Sequence, residues 1–282
     1  MDETLTKETG IVFVGVPHAG KSTYLALLYL AIANGQSAST GLGSHLDDRE
    51  FVNRMAGRLY RCEQMPRTET GRLDSLRLSI VLSNGDQDSL FVPDLSGEIW
   101  SDVLAERSWS PEMHTLVANA AGVCIFANVS DFHEDPTIAD SQLAASALGQ
   151  SYVSEQGGRI VASQRRSTQV ELVDLIQVVT SEMQGVRKRV SVILSAFDTV
   201  EDETPAEWIS MNAPMLEQYL RVNATWLDSR VFGVSAQGGS FENASDVVDL
   251  QELDPLARGW VKDSNGAVID VDVPTLWAMR NG

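Results

Sequence analysis

The chain has 282 residues, 43% of them apolar, and a formal net charge of −18. That is enough apolar material for one sizeable α/β domain, or one domain carrying insertions. The acidity argues against a nucleic-acid backbone or an anionic membrane surface as partner, because both recruit Lys and Arg.

In chain order, the polar and acidic opening MDETLTKETG is unlike a signal peptide, so a cytoplasmic location is expected. Ile11–Val14 is a short apolar run ending at Gly15 and predicts a buried strand. After the loop Gly15–Ser22, an apolar helix is predicted over Thr23–Ala33, stopped by Asn34-Gly35. The apolar stretch around it is too short to cross a bilayer. Polar sequence follows from Gln36 to Ser75, with one amphipathic helix around Asp47–Glu63. Leu76–Leu82 and Ser89–Val92 read as strands joined at Asn84-Gly85, a strong hairpin signal. A helical pattern from Gly97 to Ala121 is broken at Ser110-Pro111, and Gly122–Val129 is another buried strand.

Residues 130–167 are polar and rich in small residues, which suggests a surface insertion. Thr168–Met183 has helical spacing. Val190–Leu194 predicts a strand, Pro205–Val222 a helix and Arg230–Val234 a strand. The tail carries a hairpin signal over Trp260–Ile269 and a short terminal helix. Alternating strands and helices with one early hairpin imply an α/β fold: a mixed, mostly parallel sheet of about six strands with helices on both faces, in a single domain. Leu76–Leu82 is expected at its edge. The two cysteines, Cys62 and Cys124, and the four histidines show no ligand spacing, so buried free thiols are the expectation.

Four short segments carry chemistry. Gly15-Val16-Pro17-His18-Ala19-Gly20-Lys21-Ser22 is a full G-x-x-x-x-G-K-[ST] match with a strand before it and a helix after it. Successive amides in such a loop form an anion nest at the positive end of a helix. The phosphate-binding residues are therefore expected among Gly15, His18, Ala19, Gly20, Lys21, Ser22 and Thr23. Lys21 would reach the β and γ phosphates, and Ser22 would give its hydroxyl to Mg²⁺. Only four lysines occur in the chain, and Lys21 is one of them. The second segment is Asp94-Leu95-Ser96-Gly97-Glu98, in which Asp94 serves the metal, the Gly97 amide a γ-phosphate oxygen, and Glu98 a water. An exposed glutamate favoured by the helix dipole is the equally good alternative for Glu98. The third is Ser195-Ala196-Phe197-Asp198, where a carboxylate can accept both guanine N–H groups that adenine lacks. The fourth is Ser235-Ala236-Gln237, whose backbone N–H can meet guanine O6. Each follows a predicted strand, the edge at which α/β sheets gather ligands.

In this order the four segments resemble the G1, G3, G4 and G5 motifs of the translation-factor and Ras-like (TRAFAC) class of P-loop GTPases. GKSTYLALLY, DLSGE and VPTLWAM look most like the double-GTPase (DO-GTPase) families of bacterial conflict systems, in which paired GTPases act together within defence operons. The resemblance spans roughly Ile11 to Gly239. It implies a GTP- and Mg²⁺-dependent switch with a protein partner, either a second GTPase or an effector. A switch threonine is also implied, best placed at Thr68 with Thr70 nearby; Arg67 reads as a solvated loop residue or an arginine finger. Two departures stand out. Ser195 and Ala196 replace the family's Asn and Lys, which thins the base platform, and Pro17 and His18 replace small P-loop residues. Three readings remain open: a hydrolysing switch, a nucleotide-dependent interaction module with little hydrolysis, and an ATP-specific P-loop NTPase or kinase.

Overall fold

Along the first strand, β1 (Thr9–Val14), successive side chains alternate between two apolar layers. Ile11 and Phe13 enter one core, Val12 and Val14 the other. That is the period of two expected of a strand covered on both faces. The computed structural model describes residues 9–37, 40–47, 49–66, 74–82, 85, 87–94, 97–134, 146–147, 167–185, 187–242 and 244–279. Most of the expected insertion therefore lies outside the described residues, as do Arg67, Thr68 and Thr70.

The strands after β1 are β2 (Thr40–Asp47), β3 (Asp74–Leu82), β4 (Gln87–Asp94), β5 (Ala120–Asn128) and β6 (Lys188–Ser195). Three more follow: β7 (Leu227–Ser235), β8 (Trp260–Lys262) and β9 (Val268–Ile269). Among the described residues they form one nine-stranded sheet in the order β2-β3-β4-β1-β5-β6-β7-β8-β9. The expected six strands are its middle, β3 to β7 with β1 between β4 and β5. Pairs β1–β4, β1–β5, β5–β6 and β6–β7 are parallel, and β3–β4 is the antiparallel hairpin. Leu76–Leu82 is not the edge, contrary to expectation. β2 pairs outside it, with Thr40 opposite Leu82 and Leu46 opposite Leu78. Its sequence, TGLGSHLD, has two glycines and few β-branched residues, so the partner strand rather than local propensity makes it a strand.

One face of the sheet carries α1 (Lys21–Ala33), α2 (Arg49–Tyr60) and, at the chain's end, α10 (Val273–Met279). Tyr24 to Ile32 of α1 are all buried, because α1 packs between the sheet, α2 and the short helix α9 (Pro255–Arg258). Leu276 and Ala278 of α10 are buried, and a Cβ on Gly122 of β5 would lie 2.2 Å from the Ala278 carbonyl oxygen. The last helix is thus built into the core. The other face carries α3 (Gly97–Glu106), α4 (Pro111–Ala118), α5 (Thr168–Glu182), α6 (Pro205–Asn212) and α7 (Pro214–Val222). A further helix, α8 (Ala244–Gln251), precedes α9.

The predicted helix Pro205–Val222 is two helices. Ala213, at φ −135° and ψ 54°, leaves the helical region before Pro214 starts α7. Proline's ring disfavours the α conformation in the residue before it. A capping box of Thr204 and Glu207 starts α6, closing two otherwise orphaned backbone donors.

Candidate functional site

The parallel strands all end at one edge of the sheet, and that edge is where the motif residues collect. The loop from Gly15 to Gly20 folds back under its own lysine. Lys21 Nζ donates to the carbonyl oxygens of Gly15 at 2.7 Å and Val16 at 3.2 Å, and the side chain is only 6% exposed. Those carbonyls take the place of water around a buried ammonium group. The start of α1 has no side-chain cap from Gly20 and no acidic residue in its first turn, so the positive end of its dipole favours an anion there.

The loop needs its glycines. Gly20 sits at φ +88°, and a Cβ there would lie 2.8 Å from both Cβ and Oγ of Ser195. His18 also takes a positive φ, of 64°, a conformation uncommon outside glycine. Two side chains from neighbouring strand ends hold the loop in this shape. Ser195 Oγ donates to the Ala19 carbonyl at 2.8 Å, and Asn128 Nδ2 donates to the His18 carbonyl at 3.2 Å. The Asn128 Oδ1 accepts from the Ser130 amide at 3.0 Å and from its hydroxyl at 2.7 Å, which fixes the orientation of the amide. Ser195 therefore braces the loop in spite of its short side chain.

A cleft runs along the edge in two joined parts. The first, about 640 Å³, is lined by His18 to Thr23, by Gly97 and Glu98, and by Gln64 to Pro66. The second, about 370 Å³, is lined by Ser195, Ala196, Asp198, Ala236, Gln237 and Phe241. His18, Gly20, Thr23 and Asn128 border both. Glu98 is half-buried in the first turn of α3 and shares the first part with Lys21 and Ser22. Gly97 is pressed against the loop: a Cβ there would lie 2.2 Å from the Pro17 nitrogen. Asp94 is the last residue of β4. Asp198 is exposed at the second part, in a turn over Phe197–Thr199. Ser235 is fully buried beneath it, and its Oγ accepts the Gly238 amide at 3.0 Å. Gly15, Asp94 and Ser235 line neither part of the cleft, while His18 to Thr23, Gly97, Glu98, Ser195, Asp198 and Ala236 all do.

A family model described as Double-GTPase 1 matches residues 12–278. The chain belongs to the Double-GTPase 1 family. The family is one of GTPases, and the six central strands, β3-β4-β1-β5-β6-β7, make the mixed, mostly parallel sheet of an α/β P-loop fold. Among curated protein sequences none matches the chain. Among solved structures it is similar to the signal recognition particle receptor SRb-GTP/SRX complex of Chaetomium thermophilum, at 13% identity, over 82% of this chain and 91% of that one, with a TM-score of 0.41. It is also similar to Methanosarcina barkeri Roco2 RocCORdC bound to GDP, at 12% identity, over 91% of this chain and 53% of that one, with a TM-score of 0.37. Sup35 complexed with GDP matches at 13% identity, over 85% of this chain, with a TM-score of 0.35. The chain spans 41% of the Sup35 chain. At such scores these likenesses add nothing to the family membership.

Several residues that shape this Double-GTPase 1 cleft have no motif to announce them. Asn128 ends β5 at the edge that carries the cleft, and that position is the one signal that could have found it. Gln64, Phe241 and Glu242 come together only through tertiary closure. Gln64 Nε2 donates to Glu242 Oε1 at 3.0 Å, across 178 residues of sequence.

Proposed function

We propose that the chain binds GTP with Mg²⁺ in the two-part cleft, hydrolyses it slowly and changes partner affinity between its nucleotide states. The observation that carries this reading is the buried Lys21, held by two carbonyls beside an uncapped helix start and opening on a cleft with Glu98 at its rim. In it, the loop amides and Lys21 hold the β and γ phosphates, and Glu98 orients the attacking water. Asp198 reads guanine at the other end, beside Ala236. Ser22 and Asp94 would hold the metal, together with Thr68 of the switch segment. Among the described residues no three His, Cys, Asp or Glu side chains gather as a metal site of their own. That fits an ion shared with nucleotide phosphates. When bound, Mg²⁺ would neutralise charge on the phosphate oxygens. The chain's own contribution is positioning and charge stabilisation, with slow intrinsic turnover.

The same proposal takes residues 1–282 as one domain, with a P-loop core over 10–239, an insertion over 130–167 and a C-terminal extension over 240–282. Its partner would be a second GTPase or an effector of a bacterial defence system, in the cytoplasm. The short strings that resemble such systems support this, and among the described residues no helix is long and apolar enough to cross a membrane.

The test is titration calorimetry with GTP, GDP and ATP in Mg²⁺, on the wild type, Lys21→Ala and Asp198→Asn. Expected are loss of GTP binding in Lys21→Ala and a shift toward xanthosine nucleotides in Asp198→Asn. Equal binding of ATP and GTP, unmoved by Asp198→Asn, would overturn the assignment of Asp198. Phosphate release under single-turnover conditions then separates a hydrolysing switch from a module that only binds.

A further inference from the structure

Around Asp198 the cleft is lined mostly by small or polar side chains: Ser195, Ala196, Thr199, Ala236 and Ser240. None offers a flat apolar face to a purine. Two phenyl rings border the same space, those of Tyr24 and Phe241. Tyr24 is committed elsewhere. It is 1% exposed, and its hydroxyl meets the Val271 carbonyl at 2.8 Å and Thr275 Oγ1 at 3.0 Å. Phe241 is half-buried and retains surface toward the cleft it lines.

The loop that carries Phe241 is pinned at several points. The Gly238 amide donates to Ser235 Oγ at 3.0 Å, and a Cβ on Gly238 would lie 2.7 Å from Arg258 Cβ. Glu242 accepts from Gln64. The Arg258 guanidinium stands over the Phe241 ring, 5.6 Å from its centroid. That cation is itself fixed: it is 5% exposed and donates to the carbonyls of Leu59 and Leu250 and to Cys62 Sγ. A ring held by a buried cation loses little freedom when a base settles on it, which favours tight stacking.

From this arrangement we infer that Phe241 is the stacking platform for the nucleotide base, supplying the apolar face that Ala196 lacks. The inference rests on the guanine-nucleotide reading of the cleft and adds the residue that determines base affinity. Base–aromatic stacking lost to alanine weakens binding by roughly tenfold.

The experiment measures GDP and inorganic tripolyphosphate binding by calorimetry on the full chain, as wild type and as Phe241→Ala, Phe241→Leu and Phe241→Trp. Circular dichroism verifies the fold, and Phe241→Leu keeps apolar volume should the alanine variant unfold. Expected is a loss of roughly tenfold in GDP affinity for Phe241→Ala and Phe241→Leu, with tripolyphosphate affinity within about twofold of wild type. Phe241→Trp should retain GDP and add a tryptophan emission that GDP quenches. Unchanged GDP affinity in the alanine and leucine variants overturns the platform. So does an equal loss of GDP and tripolyphosphate, which is the mark of a merely structural residue. A wild type that binds tripolyphosphate but shows no preference for GDP instead removes the base-site reading, and the platform falls with it.

Discussion

At Ser195 a hydroxyl does a bracing job that a longer amide would do from further away. Its Oγ is buried at the end of β6, donates to Ala19 and lies 3.4 Å from the Ala127 carbonyl as a weaker second acceptor. Removing it leaves the Ala19 carbonyl without its donor, at a cost of about 1–3 kcal/mol. Ser195→Ala is therefore expected to lower the melting temperature by a few degrees and to weaken GDP binding several-fold. Calorimetry and thermal denaturation on the same preparation check both, and an unchanged GDP affinity would remove Ser195 from the brace. Cys124 makes a different prediction. Burial pushes its thiol up to about 12 from an ordinary value of 9.0. The folded chain keeps the proton that the unfolded chain loses, so this contribution to stability is complete below pH 9 and is lost as pH rises toward 12. In a Cys62→Ser background, Cys124 should resist a disulfide reagent at pH 8 until the chain is denatured. The decline in stability between pH 9 and 12 should be shallower in Cys124→Ala.

The elements most legible in the sequence are those whose local pattern and tertiary role agree. Val12 to Val14 and Val123 to Ala127 are continuous apolar runs, and Val190 to Leu194 is broken only by the buried Ser191, because helices cover both faces of their strands. The P-loop is legible because its chemistry needs specific residues at fixed spacing. β2 escaped because Gly41 and Gly43 give it no strand propensity of its own and the bonds to β3 create it. The division between α6 and α7 was written in Ala213-Pro214, a signal that the continuous helical spacing concealed. In the proposed site, Lys21 and Asp198 stand in segments that sequence can flag and Phe241 does not, since nothing local to SAQGGSF says which ring will meet Arg258. Gly97 tests how tightly two elements must fit. The first residue of α3 approaches the P-loop so closely that a methyl group would meet Pro17 backbone, and backbone cannot swing away as a side chain can. Gly97→Ala is expected to lower both melting temperature and GTP affinity, the latter by tenfold or more. Gly41→Ala, with open space around it, should change neither; equal behaviour of the two variants would show that α3 has room to retreat.

Across the whole molecule, one cation joins parts of the chain that lie two hundred residues apart. Arg258 holds the Leu59 carbonyl at the end of α2, Cys62 Sγ just beyond it, the Leu250 carbonyl at the end of α8, and the ring of Phe241. Gln251 Nε2 adds a bond to the Arg61 carbonyl at 3.1 Å, and Gln64 adds its bond to Glu242. Residues 59–64 lead into the proposed switch segment, while 238–242 border the base end of the cleft. These links tie the two stretches together, so a base seated on Phe241 as proposed would steady the residues that lead into the proposed switch segment. Arg258→Met keeps most of the aliphatic volume and removes the polar links that Arg258 itself makes, so the Leu59 and Leu250 carbonyls keep only the amides of Cys62 and Leu253 as donors. It is expected to raise amide hydrogen exchange in 59–66 and 238–242 together, at least several-fold, while the buried strands β5 and β6 keep their protection. GDP should restore protection in both stretches of the wild type and in neither stretch of the variant. If exchange rises in one stretch alone, the two stretches are independent loops, and base occupancy has no route through Arg258 to the switch.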